Sequence, residues 1–541
     1  MKRLIVILGL LSNLISSGQE VNITPKPVSL TIREGSFAIT AKTKIYLSNR
    51  ELTNSALFLK KYLQEFYGMT LESSSKESPG DIELILTSGQ KMADNEDAYS
   101  LQAKTQHVRI YGKTPRSVFY GIQTLIQLLP TEHTNTIQIP AVDVSDYPRF
   151  SYRGLMLDCG RHFFSVDFIK KYIDFIALHK MNTFHWHLTE DQGWRIEIRK
   201  YPRLTATGSC RNGTIIGHHP GIGNDSIRNC GFYSQQQIRD VVKYAADRYI
   251  NIIPEIEMPG HSSAAIAAYP QLSCFPDENT QISKNVAWEG SDSGKQVQQS
   301  WGVYKDVYCP SDFTFTFLEN VLDEVMELFP SKYIHIGGDE CPKDFWKRSS
   351  FCQDLIKQKG LKNEEALQSY FIQRIEKYIN SRGRELIGWD EILEGGLAPN
   401  ATVMSWRGEQ GGIDAAKQQH HVIMTPGAYV YLDHSQSKHD DSLTIGGFLP
   451  LDKVYSYEPV PKELNSEEAK YILGAQANIW TEYMAYPSKV EYMIFPRLTA
   501  LSEVLWSPKG AKSWENFQKR LPAIEKRYDL WQVSYFRGQS N

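Results

Sequence analysis

Eight short apolar runs recur between residues 154 and 477, at 154–158, 183–188, 250–257, 333–336, 385–389, 402–406, 421–424 and 472–477. Most are followed by a stretch of helical spacing. After the first run, Ser165 is placed to cap a helix carrying Phe168, Ile169, Tyr172, Ile173 and Ile176 on one face. Later, Ser234 and Gln237 form a capping-box pair that opens another. Eight strand-then-helix units predict an α/β fold, a (β/α)8 TIM barrel, whose functional groups belong at the C-terminal ends of its strands. An open parallel sheet is the alternative, but the glycine-rich nucleotide-binding turn that would favour it is missing.

The 541 residues exceed what the barrel needs. Residues 19–147 mix strand-like runs (82–87, 108–111) with a helical stretch at 117–129, and read as a small α/β domain. The barrel is expected over 148–506, with insertions at 205–232 and 270–312 on its functional face, and a helical extension over 507–541. Residues 1–18 read as a secretory leader: Lys2 and Arg3 precede an apolar run, and Ser16 and Gly18 supply small residues before a cut at Gln19. No later run is long enough to span a membrane, so export to the periplasm or outside the cell is expected. A net charge of −3 gives no basic field for a phosphate backbone, which argues against a nucleic-acid partner.

Export permits disulfides among the seven cysteines. Proximity suggests Cys210 with Cys230, Cys274 with Cys309 and Cys341 with Cys352, leaving Cys159 as a small buried hydrophobe. None of these spacings matches a zinc site.

The fourth run ends in Gly337-Gly338-Asp339-Glu340. Two acids leaving the core together are either solvated or held for proton chemistry, unless they merely cap the next helix. Arg153 lies just before the first run, and the other strand ends add His187, Glu190, Asp191, Glu257, His261, Trp389 with Asp390 and Glu391, Trp406 with Arg407, Tyr431 with Asp433, and Trp480 with Glu482. Packing alone does not call for acids beside tryptophans at so many strand ends, whereas a pocket for a polyhydroxylated ring does. His185-Trp-His187 also permits a metal, but acids and tryptophans suit neutral polyols better, so no metal or cofactor is expected.

Five ordered segments, 152–158, 185–195, 254–261, 335–340 and 480–482, together with 120–129 ahead of them, resemble glycoside hydrolase family 20, the β-N-acetylhexosaminidases. The resemblance implies an exo-acting, retaining glycosidase that removes terminal β-linked N-acetylglucosamine or N-acetylgalactosamine from oligosaccharides or glycoconjugates. It implies Glu340 as general acid, Asp339 as the group that orients the substrate's 2-acetamido nucleophile, and Tyr431 as donor to the acetamido oxygen. It further implies Arg153, Asp433 and Glu482 on the sugar hydroxyls, Trp389, Trp406 and Trp480 around the ring, and Asp191 and His261 behind the acid. Glu190 stands where many relatives carry Asp, with little effect expected. An acid that must be protonated near neutrality also predicts a raised pKa for Glu340. The alternatives are a disaccharide-releasing relative and a non-catalytic glycan binder, and the oligomeric state is a monomer or homodimer.

Overall fold

The computed structural model describes residues 21–538 except 88–91, 133–135 and 441; the leader expected at 1–18 lies outside the described residues. A seven-stranded sheet comes first: β1 (Ser29–Ile39), β2 (Lys44–Leu47), β3 (Glu72–Ser74), β4 (Ile82–Leu86), β5 (Tyr99–Lys104), β6 (His107–Gly112) and β7 (Ile137–Asp146). Their order is β1-β7-β5-β6-β4-β2-β3, antiparallel from β1 to β6 and parallel from β6 to β3. Helix Pro115–Leu128 packs on β5 and β6. Thr114 and Ser117 close its first turn as a capping box, and Val118, Ile122 and Leu125 are buried within the stretch read as helical.

All eight predicted runs are strands: β8 (Tyr152–Asp158), β9 (Thr183–His187), β10 (Asn251–Glu255), β11 (Tyr333–His335), β12 (Glu385–Trp389), β13 (Thr402–Ser405), β14 (Val422–Met424) and β15 (Ile472–Ala477). They close into a parallel barrel, with β15 pairing back to β8. Tyr152, Ile253, Ile387, Met404 and Ile423 fill its centre below Trp389. Ser165 and Ser234 cap their helices as expected.

The small sheet meets the N-terminal end of the barrel through buried polar groups. Asp146 accepts from Tyr99 (2.6 Å), Lys180 (3.0 Å) and Trp506 (2.9 Å). Arg153 belongs to this junction and not to a sugar pocket. It is the second residue of β8, fully buried, and donates to the carbonyls of Phe150 (2.7 Å) and Lys180 (2.8 Å) and to the Tyr120 hydroxyl (2.7 Å). The expectation that it binds hydroxyls fails because a side chain at a strand's beginning faces the far end of the barrel from its functional mouth. Helix Trp514–Leu530 clamps both parts: Arg520 donates to Glu503 and to the Ile23 carbonyl, and Arg527 to the Leu129 carbonyl.

Cys210 and Cys230 form a disulfide at the base of the first insertion. Cys341 and Cys352 do not pair. The helix Ser350–Lys359 turns Cys352 toward Cys274, with the sulfurs 3.5 Å apart, while Cys341 faces the Pro342 carbonyl. Cys274 and Cys309 are likewise free. Cys159 is buried beside Trp186. Among the described residues, no helix is long and apolar enough to cross a membrane.

Candidate active site

A cavity of about 510 Å³ opens at the C-terminal ends of the strands. Asp339 and Glu340 enter it because the chain after β11 bends sharply. Gly337 and Gly338 have φ of 67° and 94°, and a Cβ on Gly337 would lie 1.7 Å from Glu257 Oε2. Glu340 itself is left-handed (φ 43°), as is His261 (φ 47°), the kind of local strain that surrounding structure must enforce. The acids are not a helix cap: the next helix, Asp344–Arg348, begins only after Lys343.

This bend makes both carboxylates converge on one imidazole. His261 Nε2 lies 3.4 Å from Glu340 Oε2 and 3.7 Å from Asp339 Oδ2. Its Nδ1 faces Glu190 at 2.8 Å and Asp191 at 3.0 Å, and Asp191 also accepts from the backbone and hydroxyl of Ser263. Burial opposes the charge on His261, but Glu190, Asp191 and Glu340 outweigh it and raise its pKa well above the ordinary value. The His261 imidazole beside it in turn lowers the pKa of Glu340, against burial. The raised pKa expected for Glu340 is therefore reversed in this state. Asp339 is the acid that rises, to about 7, pushed by burial and by Glu255 and Glu340 while His261 pulls the other way.

Trp389, Trp406, Trp480, Tyr431, Asp433 and Glu482 line the cavity with the two acids. Trp389 is fixed by Glu255 (2.8 Å), Trp406 by Glu391 (2.9 Å), and the Trp406 and Tyr431 rings stack at 6.1 Å. Asp191 and His261 stand behind the acids and do not line it. His187 is buried between Asp158 and Glu257, 3.1 Å from each.

Two cations line the cavity: Arg407, already named from the sequence beside Trp406, and Arg161, which the strand-end residues named from the sequence do not include. Arg161 lies three residues beyond the end of β8, 3.1 Å from Glu190 and 3.9 Å from Glu482, with its guanidinium over the Trp480 ring. The strand-end criterion that selected the other residues selects it too. Buried Asp339 Oδ1, Asp433 Oδ1, Glu482 Oε2 and Arg161 Nε have no hydrogen-bond partner within the protein. Burial raises the pKa of Asp433, helped by the Glu482 charge, and raises that of Glu482 against the pull of Arg161. Buried polar atoms left open around one aromatic-walled cavity await donors and acceptors from a ligand.

A (β/α)8 barrel with an acid pair, an aromatic wall and unpaired carboxylates at its strand ends is that of a glycoside hydrolase. Family models make the class specific: glycosyl hydrolase family 20, catalytic domain, matches residues 150–509, and the same family's domain 2 matches residues 20–147. The chain belongs to glycosyl hydrolase family 20. A β-hexosaminidase of Porphyromonas gingivalis is 47% identical over 524 residues, covering 95% of this chain but 64% of that protein, so the match spans less than two thirds of the relative's length. A β-hexosaminidase of Vibrio furnissii is 36% identical over 488 residues, covering 89% of this chain and 76% of the relative. The solved exo-β-N-acetylglucosaminidase of Vibrio harveyi, in complex with N-acetylglucosamine, superposes with a TM-score of 0.82 at 32% identity, over 95% of this chain and 78% of that one.

Proposed function

We propose that this chain is a β-N-acetylhexosaminidase that releases single terminal β-linked N-acetylhexosamines by substrate-assisted catalysis with retention. The observation that carries the reading is the convergence of Asp339 and Glu340 on one His261 nitrogen. Double displacement with a protein nucleophile places the acid and the nucleophile on opposite faces of the sugar. Two acids sharing one imidazole instead flank one edge of the substrate, where the glycosidic oxygen and the 2-acetamido group are neighbours.

Glu340 gives its proton to the glycosidic oxygen as the C1–O bond breaks, and the acetamido carbonyl oxygen attacks C1 from the other face. The resulting oxazolinium cation is held by the Asp339 carboxylate at its N–H and by the Tyr431 hydroxyl at its oxygen. Glu340, now a base, draws a proton from water as it opens the ring, which restores the original configuration. Asp433, Glu482 and Arg161 take the sugar hydroxyls, and the tryptophans cover the ring and the acetamido methyl. Export after residue 18 is part of the same proposal; the mature chain should begin at Gln19 by terminal mass spectrometry.

The test compares an aryl β-N-acetylglucosaminide with the plain β-glucoside, using wild type and Glu340→Gln, and follows the first-formed anomer by NMR. Cleavage of the acetamido sugar alone, as the β-anomer and lost in the variant, is expected. Equal cleavage of both sugars, or inversion, would overturn the mechanism.

A further inference from the structure

Cys274, Cys309 and Cys352 bring their sulfurs within 4.8 Å of one another, and none of the three is in a disulfide. They come from three places: just past the short helical turn Pro270–Leu272 that opens the second insertion, the point where that insertion closes, and the first turn of helix Ser350–Lys359. A disulfide would use two sulfurs and strand the third. A thiophilic ion with metal–sulfur bonds of about 2.3 Å holds its sulfurs about 3.8 Å apart in a tetrahedron, and Cys274 and Cys352 already stand at 3.5 Å.

The scaffold holds the three donors in place. Ser273 and Tyr308 pair as an isolated bridge, Cys309 N–H donates to the Leu272 carbonyl (2.8 Å), and Ser273 donates to Asp306, which Lys295 neutralises at 2.6 Å. These contacts fix Cys274 and Cys309 side by side. Ser349 caps the helix that presents Cys352. Val307, Trp346, Ile356 and Leu367 pack around the sulfurs, an apolar shell of the kind that limits water at a structural site.

We propose that Cys274, Cys309 and Cys352 bind one soft d10 metal ion, of which Zn²⁺ is the representative, as a clip joining both ends of the second insertion to helix Ser350–Lys359. Three thiols give up three protons and coordinate one divalent ion, leaving a fourth position for water; no oxidant or reductant is involved. The clip supports the site from behind. Tyr308, beside Cys309, donates its backbone N–H to the Pro259 carbonyl (3.0 Å), two residues before His261, and accepts from Trp346 (3.0 Å).

The experiment takes the full chain as isolated, then the reduced, metal-stripped chain titrated with Co²⁺ and afterwards with Zn²⁺. One equivalent of Co²⁺ should produce sulfur-to-cobalt charge-transfer absorption that Zn²⁺ abolishes, and Zn²⁺ should raise the unfolding temperature. Cys274→Ser, Cys309→Ser and Cys352→Ser should each lose the absorption, whereas Cys341→Ser keeps it. No absorption in the wild type, or absorption that survives all three substitutions, would overturn the site. So would a disulfide between two of the three in the isolated protein, seen by non-reducing peptide mass spectrometry. The wild-type titration decides the matter even where a variant fails to fold, and its outcome is independent of the catalytic reading.

Discussion

His261 Nε2 stands 3.4 Å from Glu340 and 3.7 Å from Asp339, so a single imidazolium sets the protonation of both acids. In the free protein it lowers the pKa of Glu340, while burial leads the rise of Asp339 to about 7. The proposed chemistry needs the reverse placement, with the proton on Glu340 and the charge on Asp339. That form carries the same number of protons as the dominant one, so it disappears only when the pair loses its last proton. kcat/KM should therefore hold on the acid side of about pH 7 and fall above it. Replacing His261 with Asn removes a cation that lowers both acids; both pKa values rise, and the alkaline limb must move to higher pH. Activity–pH profiles of the two proteins check this, and an unmoved limb would count against it.

Arg161 and Arg153 give opposite kinetic expectations although they lie eight residues apart. Arg161→Met removes a cation from the cavity wall and leaves Glu190 and Glu482 without it, so it should cost stability as well as lower kcat/KM of the folded fraction on the order of 100-fold. Arg153→Met strips the junction of donors to two carbonyls and Tyr120. It should cost about 3 kcal/mol of stability, while the folded fraction keeps its KM and kcat. Kinetics of the folded fractions, measured beside thermal unfolding, separate the two.

That pair also shows what the sequence makes legible. The eight strands are readable because each is a short apolar run with helical spacing behind it, and Asp339, Glu340 and Tyr431 reach the cavity because strand ends define its mouth. Arg153 lies at the start of its strand and faces away from the mouth, whereas Arg161, three residues past the strand, meets the same strand-end rule that picks out the acids. The direction of the Glu340 shift depends on His261, 79 positions away and brought near by the bend at Gly337 and Gly338. The sulfur cluster leaves no local signature, since 35 residues separate Cys274 from Cys309 and 43 separate Cys309 from Cys352.

Gly337 is irreplaceable on two grounds, its φ of 67° and the 1.7 Å approach of Glu257 to any Cβ. Gly383 has a similar φ of 72° with open space around it. Gly383→Ala should cost about 1 kcal/mol, the conformational penalty alone. Gly337→Ala should cost several times that and remove activity from whatever folds, because relieving the clash displaces Asp339. Denaturant unfolding with activity assays on both variants measures the difference.

Tyr431 offers the sharpest separation of binding from chemistry. Its ring stacks on Trp406 and lines the cavity, and Phe preserves that packing while deleting only the hydroxyl. In the proposed mechanism the hydroxyl donates to an acetamido oxygen that becomes a better nucleophile as it is oriented toward C1. The hydrogen bond is therefore worth more in the transition state than in the bound substrate. Losing one such donor typically costs 100- to 1000-fold in kcat, about 2.7 to 4 kcal/mol. Tyr431→Phe should show that loss with KM little changed. A rise in KM at constant kcat would instead make Tyr431 a binding residue, and the acetamido group would then have to be held by Asp339 alone.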